Sequence, residues 1–320
     1  MGRTASRGDR SGARAHQVLS VKAGFLIERL VTSFAVMAVV ALLTFVLIDL
    51  APGSVVDDLA LNPQISAATL SQMREQYGLD RPFYEKFWRW AQNVARGDFG
   101  YSLVYQRSVR QLVAERLWNT VALNLLALTV AWTLGLALGL LAAAGRGSPV
   151  DWTVTGVTTA LLSIPVVVLA VVALAGAARF GMPLGTLALP VMVVAAVWCP
   201  AIARHARSTV LAALAGPHML AARARGIGRM RLLVVHALRE ALGPLTSLFG
   251  VSVAALLSAS LPVEVVMSWP GIGQLAFDAV LKRDIFLVVD LVQLSALLLL
   301  AGNTAGDILL HVFDPRIANA

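Results

Sequence analysis

Long uncharged stretches alternate with short charged ones along most of this chain. The first stretch, residues 30–48, has no charged side chain and is long enough for a helix to cross about 30 Å of hydrocarbon. Four more uncharged stretches follow, and a last one carries one aspartate near each end. The pattern predicts an all-α integral membrane protein with six transmembrane helices, at residues 26–50, 117–143, 152–178, 183–206, 242–264 and 286–311.

The segment 51–116 differs in composition from the rest of the chain. It carries eight Lys/Arg and seven Asp/Glu mixed along its length. Helix signals occur at 66–77, where Ser66 can cap the first turn, and at 82–96, where Pro82 suits a first-turn position. We therefore predict a small helical extracytoplasmic insert, whose second helix has an aromatic face formed by Phe83, Phe87, Trp88 and Trp90.

The positions of arginine and lysine predict the orientation of the chain. Residues 1–24 form a basic tail that we expect to be disordered, although an Arg-rich, acid-poor start also fits an organelle transit peptide. Counted to residue 29, this region holds six Lys/Arg, and 204–240 holds seven, whereas 264–285 holds two against three acids. Because basic loops remain in the cytoplasm, we expect both termini and the loop 207–241 to be cytoplasmic.

Composition excludes several classes of protein. The chain has 320 residues, of which 58% are hydrophobic and 14% are charged, so a soluble domain of this size could not bury its apolar surface. The topology accounts for the formal charge of +8, so we expect no nucleic-acid partner. The single cysteine, Cys199, cannot form a disulfide within the chain, and no paired Cys/His spacing suggests a metal site.

Residues 217–244 form a basic segment between two apolar runs. A helix-like piece ends at Gly226-Ile227-Gly228, and a second one begins after it. The glycines lack the lysine and the preceding strand of a phosphate-binding loop, so we expect no nucleotide hydrolysis by this chain. A helix-turn-helix is larger than a simple connection needs, which indicates a docking surface; its arginines are Arg223, Arg225, Arg229, Arg231 and Arg239, against the single acid Glu240.

The acids of the apolar runs lie near the ends of the predicted spans. They are Asp49, Glu264, Asp290 and Asp307, and no acid or base falls in the middle of a predicted span. This placement disfavours a secondary carrier, since such proteins use ionisable groups near the bilayer midplane. Two small-residue spacings predict close helix contacts, and three prolines predict kinks in the third and fourth spans: Gly135-x3-Gly139, Gly302-x3-Gly306, Pro165, Pro190 and Pro200.

Several segments, in order and with their spacing intact, match a known family. They are Gly78-Leu79-Asp80-Arg81-Pro82 with Arg96-Gly97-Asp98-Phe99-Gly100-Tyr101-Ser102, Ala221-Ala222-x3-Gly226-x9-His236-Ala237-Leu238-Arg239, Trp269-Pro270-Gly271-Ile272-Gly273 and Asp314-Pro315-Arg316-Ile317. With these motifs the chain resembles the permease subunits of type I ABC importers, in the dipeptide/oligopeptide/nickel branch, over about residues 25–317. The motif at 221–239 is similar to the family's EAA loop, with Leu220 in place of the general glutamate and Glu240 in place of the usual asparagine.

The resemblance implies a transporter subunit and not an enzyme. It implies the pathway for di- or oligopeptides, with nickel or a metal chelate as the alternative cargo; a stand-alone secondary carrier is the alternative from another class. The implied setting is the bacterial inner membrane with its lipid, a second homologous permease, two cytoplasmic ATPases and an extracytoplasmic solute-binding protein. The chain itself would bind no cofactor, because ATP and Mg would be used by the ATPases.

The resemblance also assigns two groups of residues. Those implied to dock on the ATPase through a coupling helix are His218, Met219, Leu220, Ala221, Ala222, Arg223, Ala224, Arg225, Gly226, Ile227, Gly228, His236 and Arg239. Those implied to contact the binding protein or to cap the outer entrance are Asp80, Arg81, Pro82, Asp98, Phe99 and Trp269.

Overall fold

The computed structural model of the protein describes residues 7–50, 66–78 and 81–313, together with Val56 and Ala60. An antiparallel hairpin, β1 (Tyr101–Ser102) and β2 (Arg107–Ser108), is the only sheet within these residues. The helices are α1 (Arg7–Leu50), α2 (Ala67–Tyr77), α3 (Phe83–Ala95), α4 (Val109–Ala144), α5 (Pro149–Leu162), α6 (Val166–Arg179), α7 (Ala188–Leu214), α8 (Pro217–Ala224), α9 (Arg229–Val266), α10 (Ile272–Leu281) and α11 (Ile285–Phe313).

Five of these helices are long and apolar enough to cross a membrane: α1 from Ile27 onwards, α4, α7, α9 and α11. The third predicted span is broken into α5 and α6, whose axes differ by 106°. Pro165 causes the break, because it disfavours a helical conformation at the preceding residue and lacks an N–H. If the bent pair counts as one span, the described residues contain the six spans that the sequence predicts. The bend at Pro165 is much sharper than the predicted kink.

Two predicted boundaries are wrong, that of the N-terminal tail and that of the insert, since α4 begins at Val109 instead of residue 117. The first helix begins at Arg7, so the part of the predicted disordered tail from residue 7 to 24 is helical. Extending an existing helix costs less than starting one, which favours this continuation from the apolar span. The insert contains helices at the predicted places, and Ser66 does cap α2, but the sequence analysis missed the hairpin and α10.

The loop that the sequence predicts at 207–241 is much shorter in the structure. The helix α7 continues to Leu214 instead of residue 206, and α9 begins at Arg229 instead of 242. Only residues 215–228 separate the two helices, and most of them form α8. The prediction ended each span at the first charges, but a helix satisfies its own backbone and therefore extends beyond the apolar run.

The helices α4 and α7 cross closely. A Cβ atom on Gly135 would lie 2.7 Å from the Cγ2 of Ile202, and one on Gly139 would lie 2.7 Å from the Cβ of Ala206. The predicted contact at Gly135-x3-Gly139 is therefore confirmed. The helix pair forms the centre of the bundle, because the largest apolar cluster extends from here to α6 and α9.

Buried polar bonds fix the register between α4 and α9. Each bond joins one side chain from each helix, and the three are spaced along both helices. They run from Thr120 Oγ1 to Glu264 Oε1 (2.8 Å), from Asn124 Nδ2 to Ser260 Oγ (2.9 Å) and from Trp132 Nε1 to Ser252 Oγ (2.9 Å). A sliding or rotation of one helix along the other would break these bonds in a low-dielectric interior, where an unpaired polar group is costly.

Candidate functional site

The short helix α8 lies across the ends of α7 and α9. It begins at Pro217, which suits a first helical position because its missing N–H has no partner to lose. Met219 is 2% exposed and packs with Leu232 and Leu233 of α9 and Val210 of α7. This buried side chain fastens α8 to the membrane-spanning body.

The end of α8 is a left-handed glycine turn. Gly226 has φ +79°, the N–H of Gly226 donates to the carbonyl of Arg223 (2.9 Å), and the N–H of Ile227 donates to the carbonyl of Ala222 (3.3 Å). The half-buried side chains of Ala222 and Ile227 pack on the same cluster as Met219. Glycine is favoured here because other residues are strained at positive φ, and the turn directs the chain into α9.

The predicted docking residues divide into anchoring and outward-facing groups. Met219 is buried, and Ala222, Ile227 and His236 are half-buried. The exposed ones are His218, Leu220, Ala221, Arg223, Ala224, Arg225, Gly226, Gly228 and Arg239. His236 and Arg239 belong to α9, so the predicted set lies on two helices; its role in docking stays a prediction.

The outward face of α8 combines apolar and basic side chains. Leu220 is 59% exposed and shares this face with Arg223 and Ala224, three and four residues later. Beside them opens a cavity of about 690 Å³ that is also lined by Arg146, from the turn after α4, and by Arg229. An exposed leucine among arginines is complementary to a partner surface that has an apolar pocket surrounded by acidic side chains.

Two side-chain bonds connect this region to the rest of the protein. His218 Nε2 lies 2.7 Å from Glu240 Oε2 on α9, and Arg229 donates through Nη2 to the carbonyl of Ala144 at the end of α4. The sequence analysis noted Glu240 as the single acid of the basic segment and as a departure from a motif, but gave it no partner. The pair joins residues 22 positions apart, and no local pattern could have indicated it.

On the opposite side of the bundle, three of the predicted outer residues line one cavity. Arg81, Asp98 and Phe99 surround a space of about 260 Å³ between the ends of α1, α3 and α11. Pro82 precedes α3 as its N-cap residue, and Asp80 lies outside the described residues. Lys86 donates to Asp49 (2.6 Å) at the same cavity, so it contains charges of both signs.

The aromatic face of α3 packs mainly against the membrane helices. Phe45 of α1 contacts Phe87 and Trp90, with ring centroids 5.6 and 5.3 Å apart, and Trp90 Nε1 donates to Asp290 Oδ1 of α11 (2.8 Å). Trp88 points away and is 63% exposed. Most of the predicted aromatic face therefore holds the insert against the membrane helices, whereas Trp88 remains exposed.

Trp269 lies at another place, in the turn that follows α9. Its Nε1 donates to the carbonyl of Asn119 (3.3 Å), and Asn119 Nδ2 donates to the carbonyl of Pro270 (2.7 Å). These bonds attach the turn to α4. Trp269 does not line the outer cavity, so the structure does not bring it together with Arg81, Asp98 and Phe99.

The buried carboxylate of Glu264 holds the same turn against α4. Glu264 accepts from Thr120 Oγ1 and from the N–H of Gly273 (2.7 Å), while Thr120 Oγ1 accepts from the N–H of Ile272 (2.8 Å). A Cβ on Gly273 would lie 2.9 Å from Glu264 Oε2. We call Thr120, Glu264 and the Gly271–Gly273 backbone the outer clamp; the sequence analysis had considered Glu264 only as a candidate intramembrane charge.

Two family profiles match the chain. One, described as the binding-protein-dependent transport system inner membrane component, matches residues 135–319. The other, described as the N-terminal part of such membrane components, matches residues 23–124. Together they cover both the outer insert and the region of α8.

Two transport system permease proteins are similar to this chain over nearly their whole length. The oligopeptide transport system permease protein AppB of Bacillus subtilis is 32% identical, over 92% of this chain and 99% of its own. The glutathione transport system permease protein GsiC of Escherichia coli K12 is 29% identical, over 92% of this chain and 98% of its own.

Solved structures agree in fold. A chain of the MetNI methionine ABC transporter, in an inward-facing conformation, superposes with a TM-score of 0.57 at 22% identity, over 64% of this chain and 97% of its own. A chain of an amino acid ABC transporter gives a TM-score of 0.51 at 20% identity, over 62% and 92%. The helical core is therefore common to these proteins.

Proposed function

Because the chain belongs to the family of binding-protein-dependent transport system inner membrane components, the permease subunits of ABC importers, we propose that it forms part of the membrane pathway for peptide uptake. It is a multi-pass transporter subunit and not an enzyme. The relatives' names specify oligopeptides and glutathione, which favours peptides over nickel or a metal chelate as the cargo.

The observation that carries the mechanism is the outward face of α8. Its buried side, through Met219, moves with α7 and α9, while Leu220 and Arg223 remain exposed. We infer that a cytoplasmic ATPase binds this face, so that closure of an ATPase pair pulls on α8 and rearranges the membrane helices as rigid bodies. The chain binds no cofactor in this scheme, since ATP and Mg are held by the ATPases.

The orientation follows from the same assignment. We place the protein in a bacterial inner membrane with both termini and α8 in the cytoplasm, because the arginines cluster on that side. The outer cavity at Arg81, Asp98 and Phe99 then faces the compartment from which a solute-binding protein delivers peptide. A second, homologous permease would complete the pathway.

A crosslinking experiment tests the docking assignment directly. In a Cys199→Ser background, Leu220→Cys is expected to form a disulfide or bismaleimide crosslink with cysteines placed around the ATPase cleft. Phe180→Cys is the matched control, since Phe180 is 82% exposed but lies between α6 and α7 at the other end of the bundle. Equal crosslinking at both positions would contradict the assignment.

An uptake experiment separates this reading from a stand-alone carrier. Proteoliposomes that contain both permeases and both ATPases are expected to accumulate a labelled peptide only with ATP and the binding protein. Uptake by this chain alone without ATP, or uptake that survives deletion of residues 218–228, would show a secondary carrier instead.

A further inference from the structure

A polar cavity lies between α5 and α7, away from the coupling region and the outer clamp. It has a volume of about 490 Å³ and is lined by Thr155 and Leu162 of α5 and by Arg204, His205 and Ser208 of α7. Arg207 also reaches it. The sequence analysis ended the fourth span at residue 206, which put Arg204 in its last turn and Arg207 in the following loop. It used both arginines only to predict the orientation.

The two arginines differ in their bonding. Arg207 donates through Nε and Nη2 to both carboxylate oxygens of Asp151, at 2.6 and 2.8 Å, so its charge is balanced. Arg204 is exposed, and among the described residues it has no hydrogen-bond or ion-pair partner. His205 Nε2 is shielded from solvent and likewise has no partner there. The cavity thus has one positive charge that no described residue balances, whereas the unsatisfied ring nitrogen lies below the cavity surface.

The depth of Arg204 makes a lipid-facing role costly. It lies sixteen residues after the start of α7, which corresponds to about 24 Å along the helix axis. The hydrocarbon core is about 30 Å thick, so with the start of α7 at the outer boundary of the core, Arg204 lies within its cytoplasmic half. Charged side chains at such depths face a water-filled space or a counter-charge. Because no described residue supplies a counter-charge to Arg204, the position favours a water-filled space.

We propose that this cavity binds the free carboxylate of a peptide as it passes through the cytoplasmic half of the pathway. Arg204 supplies the charge and the bidentate donor geometry that a carboxylate prefers. Asp151 stays bound to Arg207, so it does not compete for Arg204. This inference rests on the proposed function, because it assumes a peptide as the cargo.

The test compares two forms of one peptide in the complete importer. Proteoliposomes of neutral phosphatidylcholine receive the labelled peptide either as the free acid or as its C-terminal amide. Arg204→Gln is expected to lower uptake of the free acid roughly tenfold and to change uptake of the amide less than about twofold, because only the acid forms the charge-assisted bond. Arg204→Lys should retain most acid uptake. Arg179→Gln, at the far end of α6, is the matched control and should affect neither form.

An equal loss for both peptides would overturn the proposal. So would a loss that occurs only after anionic phosphatidylglycerol is added and is the same for both, because the anion would then be a lipid headgroup. Lack of ATP-dependent uptake by the unaltered importer would instead count against the proposed function, which keeps the two failures distinct.

A labelling measurement covers variants that do not transport. In the Cys199→Ser background, Arg204→Cys is expected to react with a membrane-impermeant thiol reagent from the cytoplasmic side, and millimolar free-acid peptide should slow the reaction. Val157→Cys serves as the control, since Val157 is an exposed apolar residue of α5 that does not line the cavity. If Arg204→Cys reacts no faster than this control, the position faces lipid or another subunit, and the proposal is wrong.

Discussion

The two ends of α9 are built in opposite ways. At its start, α8 is held by a small apolar contact centred on Met219 and by a hydrogen bond between the exposed side chains of His218 and Glu240. At its end, the outer clamp buries Glu264 completely and satisfies it with donors from α4 and from the following turn. The first end leaves a surface free for another protein, whereas the second is complete within this chain.

The glycines at the two ends show the same difference. Gly226 needs glycine for its backbone, since φ is +79° and nothing lies within 4 Å of an added Cβ. Gly273 needs glycine for space, since a Cβ there would lie 2.8 Å from Leu261 and 2.9 Å from Glu264. Substitutions at the clamp should therefore act on stability, and substitutions near α8 should act on coupling.

The largest expected effect is at the clamp itself. Glu264→Ala leaves Thr120 Oγ1 and the N–H of Gly273 without their acceptor, and buried donors of this kind cost about 3 kcal/mol when unpaired. The thermal midpoint of the purified protein in detergent should fall markedly. Glu240→Ala is the matched removal of a glutamate at the other end. If both variants melt alike, the contrast between the two ends is wrong.

Gly273→Ala should have the next largest effect. The added methyl group must displace Leu261 or Glu264, and overpacking of this kind costs about 2 kcal/mol. Gly228→Ala provides a control, because a Cβ there has nothing within 4 Å and φ is −62°. If Gly228→Ala has a lower melting midpoint than Gly273→Ala, lack of space is not what restricts substitution at the clamp.

Gly226→Val should alter coupling more than stability. A β-branched residue at positive φ costs about 1–2 kcal/mol, which the fold can absorb, but the turn that sets the direction of α8 is strained. We expect an assembled importer whose ATPase activity no longer drives uptake. Peptide uptake and ATP hydrolysis measured on the same proteoliposomes give the coupling ratio, and a normal ratio would contradict the docking role.

The smallest effect is expected for the exposed pair His218 and Glu240. Glu240→Ala removes the partner of His218, and such pairs contribute about 0.5 kcal/mol or less. The melting midpoint should shift by no more than the error of replicate scans. A large shift would indicate that the pair, and not Met219, fastens α8.

Sequence patterns predicted the elements that local chemistry determines. Apolar runs located the spans, and the capping residue Ser66 located the start of α2. They failed where long-range contacts decide: Thr120 meets Glu264 across 144 positions, and Asp151 meets Arg207 across 56. Charges were also misleading, because Arg204 and Arg207 suggested the end of a span that continues to Leu214.

The π-helical turn at Leu232–Ala237 changes the direction in which the residues before it point around the axis of α9. A π turn accommodates one residue more than an α-helical turn, and each residue of an α-helix rotates the chain by about 100°. Everything before Leu232, including α8, is therefore offset by that angle from the face that α9 would show as an uninterrupted helix. The one additional residue in the π-helical turn therefore sets the direction in which Leu220 points out of the bundle.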